Sequence, residues 1–163
     1  MSKFNAESFL NQTVEAKLDV RRIPMPEGDH DEMQITDLSI NTGTMKSGER
    51  AGETWVQLKA KLVCTDPNVA AEMKLTGDQQ PTVYWQEFID LDENGNLDIA
   101  DGRNIKLGKL RQACNQNNDD EWSINDLKSA TLGARITHAF NADGDPYAVV
   151  KAVYNPAGDE DEE

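Results

Sequence analysis

Trp55-Val-Gln-Leu-Lys-Ala-Lys-Leu-Val-Cys-Thr65 is the stretch on which the fold turns. Val56, Leu58, Ala60, Leu62 and Cys64 alternate with Trp55, Gln57, Lys59, Lys61 and Val63. Successive side chains of a strand point to opposite faces, so a period of two predicts a strand with one apolar and one largely polar face. Working outward, residues 33–41 predict the preceding strand. Met33 and Ile35 keep one parity and Leu38 and Ile40 the other, and that phase slip predicts a bulge near Thr36 and Asp37. Residues 42–53 (TGTMKSGERAGE) predict a loop between the two strands.

On the other side, residues 69–75 predict a short helix and residues 82–91, rich in β-branched and aromatic side chains, a third strand. A Gly/Asp/Asn loop over 92–103 leads to a helix over 104–115. There Leu107, Leu110 and Cys114 share a face and Arg103, Lys106 and Lys109 form a basic stripe. After a polar loop, residues 122–127 suit a short helical turn. Strands over 134–140 and 147–154 follow, joined by Asn-Ala-Asp-Gly-Asp-Pro, a hairpin turn signal. The order is β-β-β-α-β-β, a mostly β class, and it suits a five-stranded OB-like barrel with its helix between the third and fourth strands. Residues 5–10 predict a short N-terminal helix capped by Asn5 and docked through Phe4, Phe9 and Leu10. The expected organisation is an N-terminal helix and extended leader (1–30), the barrel (31–155) and a disordered acidic tail (156–163).

The 163 residues suit one domain, and no apolar run approaches the ~20 residues of a membrane-crossing helix. The start, MSKFNAESFL, has no apolar signal region, so no secretion signal is expected. Cys64 and Cys114 are too few for a disulfide scaffold and lack zinc-site spacing, so two buried reduced thiols and a cytoplasmic setting are expected. The net charge is −14, and the five residues Asp159, Glu160, Asp161, Glu162 and Glu163 are all acidic. Without them 25 acids stand against 16 bases, a charge of −9. Such a body repels polyanions on average, so any nucleic-acid binding requires bases gathered on one face.

Two constellations carry chemistry. Asp90, Asp92, Asn94, Gly95, Asp98 and Asp101 follow the spacing of an EF-hand calcium loop, with Asp at the last position where Glu is usual. A strand enters this loop where an EF-hand has a helix, and the competing reading is an Asx-rich turn with Asn94-Gly95 at positive φ. The second constellation is the polar face of the central strand. Trp55, Gln57, Lys59 and Lys61 line up an indole with two ammonium groups, and the third strand adds Tyr84 and Phe88 on one of its faces, or Trp85 on the other. Bases stack on aromatic rings and cations track phosphates, so this combination suits single-stranded nucleic acid. Lys46 and Arg50 in the first loop, and Arg135 and Lys151 on the last two strands, are further candidate phosphate contacts. His30 and His138 have no metal-ligand or nucleophile–base spacing. No catalytic, nucleotide-binding or zinc motif is present, so no enzymatic activity and no cofactor are expected.

Three longer stretches resemble small bacteriophage proteins of replication and recombination modules. They are FNAESFLNQTV (4–14) followed by PMPEGD, FIDLDENGNLDIADGRNIKLGKLRQACNQN (88–117), and LGARITHAFNADGDPYAVVKAVYNP (132–156). The resemblance implies a single-stranded DNA-binding or recombination-accessory protein with an OB-like core. It also implies an acidic tail that regulates DNA binding or recruits replication or recombination proteins. Tails of that kind usually end on an aromatic or apolar residue, whereas this one ends on Glu163. The reading is thus a non-enzymatic single-stranded DNA-binding protein of the host cytoplasm, with homo-oligomerisation open and no membrane partner. Its rivals are an acidic DNA mimic that inhibits a host nucleic-acid-binding protein, and a calcium-stabilised structural or virion protein.

Overall fold

The first strand organises the molecule. A computed structural model describes residues 3–18, 22–117 and 121–158. In it β1 runs from Gly28 to Thr44, starting earlier and ending later than the sequence pattern suggests. Its second half pairs antiparallel with β2 (Thr54–Cys64), and its first half with β4 (Thr131–Phe140). The register against β2 shifts between Ile35 and Asp37, the bulge expected from the phase slip. A second shift against β4 falls between His30 and Met33. Bulges bend and twist the strand that carries them, so one long β1 can serve both halves of a curled sheet.

β3 (Thr82–Ile89) adds to β2, and β5 (Pro146–Tyr154) adds to β4. The result is one antiparallel five-stranded sheet in the order β3-β2-β1-β4-β5. The mostly β class is as expected, but the expected barrel is not closed. β3 and β5 are the sheet's two edges and no ladder joins them, although parts of them come within 8 Å between Cα atoms. Paired strands lie about 4.8 Å apart, so the curl stops just short of closure. The short helix expected over 69–75 also forms, starting slightly earlier, and the β-β-β-α-β-β order leaves it out. α2 (Pro67–Glu72) lies between β2 and β3, capped by Asp66, whose carboxylate accepts the Asn68 N–H at 2.9 Å.

α3 (Ile105–Ala113) packs against β5 and β3 beside the open seam, burying Leu107, Leu110 and Ala113. A 3-10 turn (Ile124–Leu127) follows and buries Leu127. Together with the inward residues Met33, Ile35, Leu58, Leu62, Trp85, Leu132 and Ile136 they form one core. Each fully buried large aliphatic side chain contributes about 1.5–3 kcal/mol. Cys64 and Cys114 are buried free thiols; burial raises both pKa values, that of Cys114 to about 12. The hairpin turn forms as its sequence suggests: the Asn141 carboxamide oxygen accepts the N–H groups of Asp143 and Asp145. Among the described residues no helix is long and apolar enough to cross a membrane.

The N-terminal region departs from expectation in two ways. α1 (Ala6–Leu10) forms, with Asn5 accepting the Ser8 N–H, but it buries none of its residues. Phe4, Phe9 and Leu10 are all exposed, and the two phenyl rings stand 5.3 Å apart. By contrast, Met25 of the leader is fully buried in the core. Two histidines hold this part of the leader: the ring Nε2 atoms of His30 and His138 donate to the carbonyls of Pro26 and Met25, each at 2.7 Å. Residues 155–158 form a turn in which Asn155 accepts from Ala157 and Gly158. Of the tail expected to be disordered (156–163), residues 156–158 belong to this turn and 159–163 lie outside the described residues.

Candidate nucleic-acid interface

Register turns the parity of β2 into a surface. On the outer side of the sheet, Trp55, Gln57, Lys59 and Lys61 lie opposite Gly43, Asn41, Ser39 and Asp37 of β1. On the other flank, Gln57, Lys59 and Lys61 lie opposite Phe88, Gln86 and Tyr84 of β3. Five of the residues singled out in the sequence therefore share one continuous face: Trp55, Lys59, Lys61, Tyr84 and Phe88. The inner partners Leu58, Ala60 and Leu62 are fully buried, which fixes the orientation of the outer set.

The aromatic side chains on this face are not core. Phe88 is 59% exposed and Tyr84 47%. Trp55 is half-buried and meets Phe88 edge-on, with ring centroids 5.8 Å apart and planes at 80°. Its indole lies directly over Gly43, where a Cβ would stand only 2.6 Å from one ring carbon. The absent side chain of Gly43 is therefore what lets Trp55 lie down on the sheet. The Lys59 ammonium sits 4.2 Å from the centre of the Tyr84 ring, within cation–π range. Asn41 donates to Gln57 between these two aromatic groups, at 3.5 Å.

The candidate phosphate contacts divide. Arg50 lines an apolar hollow of about 340 Å³ with Met45, Trp55, Val56 and Phe88, at one end of the face. Its guanidinium is held by Glu53 at 2.6 Å, so a phosphate must compete with that carboxylate. Lys46 is exposed on the same loop. Arg135 is engaged elsewhere, by Asp29 of β1 at 2.8 Å, and this pair holds the Asp29 carboxyl below its usual range. Lys151 lines the seam between β3 and β5, where Tyr84 also stands.

The loop with calcium-like spacing is built as a turn. The Asp92 carboxylate accepts the N–H groups of Asn94 and Asn96, that of Asp98 accepts the Ala100 N–H, and that of Asp90 accepts the Asn104 N–H. Gly95 takes a positive φ of 78°. Among the described residues, no group of three or more His, Cys, Asp or Glu side chains is arranged to hold a metal ion. Asn104 pins the loop: its amide donates to the carbonyls of Asp90 and Asp98 and its oxygen accepts the Asp90 N–H.

The chain matches no protein-family model, no curated protein and no solved structure at a significant level. The site is therefore read from its own geometry. Sequence reasoning missed Gly43, which it placed in a loop, and Tyr147, which faces the same seam as Lys151. A glycine inside an alternating strand is the signal that marks a close approach by a neighbouring ring.

Proposed function

We propose that this protein binds single-stranded DNA with little sequence preference, through the outer face of β1, β2 and β3. One observation carries the reading: two exposed aromatic rings and a half-buried indole share one sheet face with two lysines. Trp55, Phe88 and Tyr84 offer stacking surfaces to successive bases, and Lys59 and Lys61 reach the backbone between them. Base stacking is worth about 1–3 kcal/mol per base, whereas an exposed cation–π contact is worth about 0.5–1 kcal/mol. A base arriving on Tyr84 therefore displaces Lys59 from the ring toward a phosphate. No base-edge reader is required, because every base has a face to stack. The resemblance to phage replication and recombination proteins supports a role in copying or recombining a phage genome within the host.

The test is a titration with oligo-dT at low salt, comparing the protein with Trp55→Ala, Tyr84→Ala, Phe88→Ala and Lys59→Ala/Lys61→Ala. Each aromatic variant should lose about fivefold to 150-fold in affinity while keeping its fold. Absence of single-strand binding by the unaltered protein would end the proposal. The DNA-mimic reading has its own observation, a hollow of about 220 Å³ lined by Asp29, Asp31, Glu32 and Asp66. Three of these acids are already engaged, Asp29 by Arg135, Asp31 by the Tyr154 hydroxyl at 2.5 Å and Asp66 by the Asn68 N–H. That leaves the aromatic face as the better-supported site.

A further inference from the structure

The open seam between β3 and β5 has a composition unlike that of the rest of the molecule. It forms a cleft of about 490 Å³ walled by β3, β5 and α3. Lys106 and Lys109 enter it from α3, Lys151 and Tyr147 from β5, and Tyr84 from β3. Glu87 is the one acid among its described lining residues, and Lys106 holds it at 3.0 Å. Among the described residues neither Lys109 nor Lys151 forms an ion pair. The cleft is thus locally positive on a body whose charge is negative. Tyr84 and Tyr147 are each 47% exposed. With β3 and β5 within 8 Å in places, the gap is too narrow for an added strand, which needs about 4.8 Å on each side.

We infer that this cleft continues the single-strand path beyond the β2–β3 face. A nucleic-acid chain leaving Tyr84 enters the cleft, where Lys109 and Lys151 contact phosphates and Tyr147 offers a further stacking surface. The inference rests on the proposed single-strand reading and extends it. Tyr84 belongs to both surfaces and makes them continuous. The pairing of free lysines with exposed tyrosines favours a polyanion with flat bases over an acidic peptide.

The experiment uses the whole chain and two oligo-dT lengths, about 4 and about 16 nucleotides, spanning the site sizes of single OB-type domains. Each phosphate contact to a single strand contributes about 0.7 to the slope of log affinity against log salt. Lys109→Ala/Lys151→Ala should therefore lower that slope by about 1.4 for the long oligomer and leave the short one unchanged. Between 1 M and 50 mM salt this is a difference of about 60-fold. Lys109→Arg/Lys151→Arg should restore it. In the unaltered protein, 5-iodouracil placed along the long oligomer should photo-crosslink to Tyr147. If the protein binds both lengths and the alanine pair changes neither slope nor crosslink, the cleft is not part of the path, though the β2–β3 face survives. Equal loss for both lengths, or displacement of neither oligomer alongside capture of poly-glutamate in the cleft, also overturns the extension. No binding of either length by the unaltered protein removes both readings.

Discussion

Gly43→Ala tests the platform under Trp55 without touching a residue that would meet DNA. An alanine Cβ would lie 2.6, 2.7 and 2.8 Å from three atoms of the indole. Ordinary contacts are near 3.5–4.0 Å, so the ring must lift by about 1 Å and tilt off its edge-on contact with Phe88. The glycine needs no unusual backbone: its φ is not positive, so alanine fits the strand. Two stability effects then oppose each other. Losing the Trp55–Phe88 geometry costs about 0.5–1.5 kcal/mol. Replacing a strand glycine lowers the entropy of the unfolded chain and returns about 0.4–1 kcal/mol. Urea unfolding should consequently move by less than about 1 kcal/mol. Affinity for oligo-dT should fall much further, by about fivefold to 150-fold, because a tilted indole forfeits one base stack of about 1–3 kcal/mol. A double-mutant cycle sharpens the test. Once Trp55→Ala has removed the ring, Gly43→Ala should cost nothing more in binding. Wild-type affinity in Gly43→Ala, or additive losses in the double variant, would refute the idea that Gly43 acts by seating Trp55.

Two predictions concern stability. Asn104→Ala removes three hydrogen bonds that close the 90–104 loop and places alanine at a φ of 52°, so it should destabilise the fold by about 1–3 kcal/mol in urea unfolding. The same result should appear with calcium or with a chelator, since the loop is closed by amide and carbonyl groups. Tyr154 predicts a limit at alkaline pH: burial, and its bond to Asp31, raise the phenol's folded pKa above the ordinary value of 10. The folded state then holds a proton that the unfolded state has released, so this contribution is intact below about pH 10 and lost as pH rises toward the folded pKa. Tyr154→Phe should flatten that alkaline fall in melting temperature; an unchanged pH profile would show that the hydroxyl contributes nothing.

The legible parts of this molecule were local ones. The two-residue period of β2, the phase slip in β1 and the Asn141 turn each specify their structure within a few residues, and each forms. The two parities of β2 followed from the same period, but that Trp55 faces outward rests on the burial of Leu58, Ala60 and Leu62, which the period alone does not give. Closure was not legible, since it depends on how far two bulges bend one long strand and whether edges distant in sequence meet. Met25 was hidden for a different reason: a single apolar residue between two prolines has no period, and only His30 and His138 reveal what holds its segment. The docking expected of Phe4, Phe9 and Leu10 shows the converse, because an apolar cluster does not name its partner. The seam cleft draws on β3, α3 and β5, and no sequence spacing brings Lys109 beside Lys151.

The acidity of the body bears on which nucleic acid such a face would accept. Fields of exposed charges decay over about 8–10 Å at moderate salt, so distant carboxylates slow the approach of a polyanion more than they weaken a formed contact. Two acids beside the face are paired, Glu87 with Lys106 and Glu53 with Arg50, and Asp37 stands across the ladder from Lys61. Duplex DNA carries a charge every ~1.7 Å of its axis and keeps its base faces stacked inside. It would meet the full repulsion and gain nothing from Trp55, Tyr84 or Phe88. A single strand carries fewer charges per length and presents the faces those rings take. Negative charge on the body therefore favours single strands over duplex, provided that stacking supplies the attraction. Competition by duplex DNA should be weak at low salt and become no stronger when salt is raised.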